Sequence, residues 1–70
     1  MIAVLTPMIR EFKEIGFHPQ NQFIPVTTVD HVMGRRFTGV ICLYGWHRNN
    51  DTRKAYESLL RRQPELFKTK

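Results

Sequence analysis

Apolar residues fall in four groups along the chain, and their spacing changes from one group to the next. Met8, Ile9, Phe12 and Ile15 recur at i, i+1, i+4 and i+7, one face of a helix, while Arg10, Glu11, Lys13 and Glu14 take the other side. Thr6 can cap a helix and Pro7 suits its first position. Gly16 accepts the left-handed conformation that ends one. The spacing predicts a helix over 7–15. Ahead of it, Ile2 to Leu5 is a run of four apolar residues, read as a short edge strand or a leading arm.

The second and third groups read as strands. "QFIPVTTV" is rich in β-branched and aromatic residues, and Pro25 lacks a ladder donor, which suits an edge. "RFTGVICLYGW" is the clearest strand. Its apolar residues occupy both parities, so both faces are expected to be covered. Between the two, residues 28–33 admit two readings. Gly34 can open a tight turn, making a hairpin with Val26 opposite Leu43 and Val29 opposite Val40. Alternatively Thr28 caps a short helix with Val29, Val32 and Met33 on one side. Two threonines and three valines favour the hairpin.

The fourth group, Ala55, Tyr56, Leu59 and Leu60, is a helical stripe. Asn50 or Asp51 is the expected cap, and Pro64 stops the helix near Arg62 or Gln63. Leu66 and Phe67 are expected to fold back onto the core, with "KTK" as a tail. Together the groups predict one α+β domain over 1–70, ordered helix, strand, strand, helix. Both helices would lie on one side of a small antiparallel sheet.

Composition narrows the class. Seventy residues with 41% hydrophobic residues make one small globular domain. A chain this short buries only about 60% of its unfolded surface, so a homodimer is a plausible supplement. Cys42 is the single cysteine, which excludes an intramolecular disulfide. No run approaches the roughly 20 apolar residues of a membrane span, and the start lacks the basic region of a signal peptide. The expectation is a cytoplasmic protein, and a start at Met1 suggests a complete small gene product. A small basic chain of this kind fits a phage or mobile-element accessory protein.

Charge changes the picture most. The net charge is +5, and it is unevenly placed. Residues 1–34 carry two Lys/Arg against three Asp/Glu, a net of −1, and residues 35–70 carry nine against three, a net of +6. Such asymmetry suggests a basic face and an anionic partner. Nucleic acid comes first and an acidic protein surface second. On the last helix Lys54 and Arg61 point away from the apolar stripe, and Arg53 and Arg62 flank it. Glu57 lies four residues from Arg53 and from Arg61, close enough to neutralise one of them. Arg35 and Arg36 sit at the proposed turn, and Arg48 precedes the helix cap. The candidate nucleic-acid contacts are therefore Arg35, Arg36, Arg48, Arg53, Lys54 and Arg61.

Catalytic and metal chemistry find little support. His18, His31, Cys42 and His47 contain no close ligand pair, so a zinc site would need the fold to gather all four. No motif pairs Cys42 with His31 or His47 as nucleophile and base, and Cys42 reads as a small buried hydrophobe. The four glycines form no phosphate loop and no dinucleotide fingerprint. No cofactor is implied and a non-enzymatic role is expected. In an extended strand Tyr44, Trp46 and Arg48 would share one face. That face could stack bases, but both rings are expected to serve the core. The readings that stay open are a nucleic-acid-binding accessory or regulatory protein, and an inhibitor or adaptor that binds an acidic protein surface. The second could use an exposed sheet edge at residues 22–29 for strand addition.

Overall fold

The computed structural model describes residues 1–67, so the "KTK" tail lies outside the described residues. Three strands, β1 (Ile2–Leu5), β2 (Phe23–Val26) and β3 (Gly39–Cys42), form one sheet in the order β2-β1-β3. Two helices, α1 (Ile9–Ile15) and α2 (Asn50–Arg62), accompany them. Both strand pairs are parallel, with Leu5 beside Val26 on one side and Cys42 on the other. The antiparallel sheet expected from the sequence is therefore wrong, and so is the hairpin. β2 and β3 never touch, because β1 separates them. A parallel strand must be reached from its amino end, so residues 27–38 serve as a crossover rather than a tight turn. Within that crossover Val29–His31 makes one 3₁₀ turn with Thr28 at its cap position, and Gly34 takes a φ of 70°. The Nδ1 of His31 accepts the Thr27 backbone N–H at 3.1 Å. Asp30 and His31, poor strand residues, belong to this turn.

The apolar run at Ile2 to Leu5 is the central strand, not an edge or an arm. Ala3, Val4 and Leu5 are completely buried, as a strand covered on both faces requires. Ala3 and Leu5 point into a cluster with Val26, Val32, Phe37, Ala55 and Leu59. That is the α2 face. Side chains alternate along a strand, so Val4 faces the other way. Ile2 and its register neighbour Phe23 share that second face. There Phe12 of α1 stacks on Phe17 at 5.2 Å between ring centroids, and Phe17 on Phe23 at 4.9 Å. The helices thus cover opposite faces, which corrects the expected one-sided packing. Pro25 does sit on an edge strand, where its missing N–H costs no ladder bond.

α1 ends at Gly16, which takes a left-handed φ of 72°. It starts two residues later than expected, because Thr6 and Pro7 are buried at the end of β1. The cap of α2 is Asn49, one residue before the expected pair. Its Oδ1 accepts the Asp51 N–H at 2.8 Å. The α2 stripe buries Thr52, Ala55 and Leu59 and leaves Leu60 partly exposed. Tyr56 instead joins an aromatic ladder, 4.9 Å from Trp46 and 5.1 Å from Phe67. Leu66 and Phe67 do fold back against the core. No helix among the described residues is long and apolar enough to cross a membrane.

Candidate nucleic-acid interface

The carboxyl ends of the three strands meet the start of α2. Thr52 is buried, and its hydroxyl lies 2.9 Å from the Thr6 carbonyl oxygen and 3.3 Å from that of Thr27. Asn49 donates from Nδ2 to the Pro7 carbonyl at 3.0 Å. The Leu43 N–H reaches the Leu5 carbonyl at 2.9 Å. One helix start therefore holds the ends of β1 and β2, while β1 itself holds the connection leaving β3. In open parallel sheets this rim is where ligands bind.

The expected long strand stops at Cys42, and the chain turns at once. Trp46 N–H donates to the Leu43 carbonyl at 3.0 Å, closing a turn around Tyr44 and Gly45. Gly45 has φ 75° and ψ 11°, values suited to the third position of a type II turn and open to glycine. A Cβ there would also lie 2.6 Å from Nε of Arg48. Arg48 folds over the turn, and both its backbone N–H (3.0 Å) and its Nε (3.3 Å) donate to the Gly45 carbonyl. A cleft of about 390 Å³ opens here, lined by residues 42–48.

The turn separates the two aromatic side chains assigned to a common strand face. Trp46 is half-buried in the ladder with Tyr56, the core role expected of it. Tyr44 is 93% exposed at the tip of the turn, so the expectation that it serves the core was wrong. The strand periodicity ended before it, and Gly45 was the residue that signalled the turn. His47 is exposed beside it and stands edge-on to Trp46 at 5.9 Å. Cys42 is exposed as well, not buried. Even so, desolvation from its partly covered thiol pushes its pKa above the ordinary value. That shift is opposite to the one that activates a cysteine nucleophile. Among the described residues, no three His, Cys, Asp or Glu side chains gather as metal ligands.

The six candidate cations divide into two groups. Arg48 lines the cleft, and Arg53 and Lys54 are exposed on the first turns of α2, where they border a shallow depression with Asn50 and Glu57. Arg61 is exposed roughly 12 Å further along the helix, from 1.5 Å per residue. Arg35 and Arg36 are exposed in the crossover near that far end, where Arg36 meets Glu65 at 3.4 Å. Among the described residues this is the one ion pair, and it is solvent-exposed, so it holds Arg36 weakly. Arg62 serves the fold, since its Nη1 donates to the Val32 carbonyl at 3.2 Å.

The chain matches no protein-family model, no curated protein and no solved structure.

Proposed function

We propose that this chain is a non-enzymatic nucleic-acid-binding protein of accessory or regulatory kind. Its contact surface is the carboxyl rim of the sheet and the first turns of α2. One observation carries the reading: Arg48, Arg53 and Lys54 are exposed on neighbouring parts of one rim, with no acidic partner within ion-pair distance among the described residues. Cations in no ion pair are available to phosphates, and each phosphate contact releases counterions. Arg35, Arg36 and Arg61 extend the positive surface toward the other end of α2. Asp51 lies in the first turn of α2 and opposes a phosphate directly at the helix start. The cations beside it, rather than the helix end, are therefore the contacts.

The test is fluorescence anisotropy with labelled DNA and RNA oligonucleotides at low salt. Wild type should bind. The double variant Arg53→Ala/Lys54→Ala should bind at least about tenfold more weakly, since two counterion-releasing contacts are lost. Its circular dichroism should be unchanged, because neither side chain is buried. Wild type that binds no nucleic acid, or a double variant that binds as wild type, would overturn the reading.

A second reading has its own observation. β2 is an edge strand, so an extended peptide from a protein with an acidic surface could pair with it. A stoichiometric protein recovered in a pull-down after nuclease treatment would favour this adaptor or inhibitor role.

A further inference from the structure

We propose that Tyr44 is a stacking platform for an unpaired base, so that the chain prefers single-stranded to duplex nucleic acid. This rests on the nucleic-acid reading above and assigns its specificity. Tyr44 is the most exposed of the large hydrophobic side chains, at 93%. Three aromatic residues nearby in the fold, Trp46, Tyr56 and Phe67, share one ladder. The Tyr44 ring makes no ring contact among the described residues. Its exposure is built in rather than left over, because the turn that presents it is fixed from three sides. The Trp46 N–H closes the turn, Gly45 supplies the left-handed residue, and Arg48 clamps the Gly45 carbonyl with two N–H groups. The backbone of the turn is already ordered, so only the two side-chain torsions of Tyr44 are fixed when a flat partner lands on its ring.

The surroundings say what that partner carries. His47 and Arg48 follow Tyr44 within four positions, and Arg53 and Lys54 are exposed on the first turns of α2. A ring that shares its cleft with Arg48 matches a base joined to a phosphate. The Tyr44 ring borders a solvent-open cleft of about 390 Å³ lined by residues 42–48, where an unpaired base can approach its face. Bases in a duplex already stack on each other and offer the ring no face. A purely electrostatic surface would prefer the duplex, whose charge density is higher. A preference for single strands is therefore diagnostic of stacking.

The experiment compares a fluorescein-labelled 20-nucleotide oligothymidine with the same strand annealed to oligodeoxyadenosine, by anisotropy at low salt. Wild type should bind the single strand at least about fivefold more tightly. Tyr44→Ala should weaken single-strand binding by about 5- to 150-fold, the worth of one base–aromatic stack, and leave duplex binding within about twofold. Tyr44→Trp should keep the preference. Trp46 fluorescence and near-ultraviolet circular dichroism of Tyr44→Ala should match wild type, because the side chain leaves only solvent behind. Equal loss on both substrates, no loss on either, or wild type without a single-strand preference would overturn the inference. If wild type binds both forms equally and Arg53→Ala/Lys54→Ala still weakens it, only the stacking role fails. If wild type binds neither form, the nucleic-acid reading fails with it.

Discussion

Gln63 offers a measurable test of how the far end of α2 is held. Its side chain is 3% exposed. Its Oε1 accepts the Phe37 N–H at 2.8 Å, and its Nε2 donates to the Phe37 carbonyl at 2.8 Å. The amide thus imitates a strand partner for a residue that is itself 3% exposed. It fastens the end of α2, with Arg61 and Arg62, to the segment carrying Arg35 and Arg36. Gln63→Leu keeps the volume and removes both partners. Each buried backbone group left unsatisfied costs about 1–3 kcal/mol, so the pair costs about 2–6 kcal/mol. A domain of this length has a total stability of about 4–10 kcal/mol. The substitution should therefore remove about half of it. With an m-value near 1 kcal/mol/M in urea, the midpoint should fall by about 2 M or more, read by Trp46 fluorescence. Gln63→Glu adds a sign. A carboxylate can accept from Phe37 N–H but repels its carbonyl, whereas the protonated acid can do both. The new carboxyl should have a raised folded pKa. Its contribution is then present below the unfolded value near 4.3 and lost as pH rises, so this variant should gain on wild type from pH 7 to pH 4. A Gln63→Leu midpoint within about 0.5 M of wild type would refute the reasoning.

Gly45→Ala should destabilise the fold by about 1–2 kcal/mol, the cost of a side chain in the left-handed region, lowering Tm by roughly 5–15 °C. It should also displace Arg48, whose guanidinium occupies the space of the new Cβ, whereas Gly34→Ala at φ 70° meets no neighbour and bears the backbone cost alone. Indistinguishable nucleic-acid binding by the two variants would rule out a part for the Arg48 clamp in binding. Cys42 has a raised thiol pKa, from desolvation, so its contribution is complete below the unfolded value and is lost as pH rises through the folded one. Urea titrations from pH 7 to pH 10 should therefore show a steeper alkaline decline for wild type than for Cys42→Ala, and parallel declines would contradict it.

Local signals in this sequence were faithful where one element decided the outcome. The α1 helix with its Gly16 stop, the α2 stripe with its Pro64 stop, and Pro25 on an edge are all legible, because caps, helical periods and missing donors act within a few residues; of the α1 stripe only Phe12 is buried, and Met8, Ile9 and Ile15 are exposed. Strand pairing was not. A run such as Ile2 to Leu5 looks the same whether it is an arm or a central parallel strand, since its strand partners lie 21 and 37 positions away. β propensity at Val26 to Val29 favours a hairpin, and the insertion of β1 between β2 and β3 overrides it. For the site, cation positions could be read from the chain, but their division into two groups could not. That division follows from α2 running from the carboxyl rim back to Phe37. Tyr44 departs from the strand-face expectation because β3 ends at Cys42 and the chain turns at Gly45.

The most direct measurement is the salt dependence of binding to a single-stranded oligonucleotide, plotted as log K against log salt concentration. Three phosphate contacts, from Arg48, Arg53 and Lys54, at about −0.7 each, predict a slope near −2 for wild type. Arg53→Ala/Lys54→Ala should bring it to about −0.7, the worth of the one contact left. A wild-type slope near zero, or one that the double variant leaves unchanged, would contradict a phosphate-binding rim.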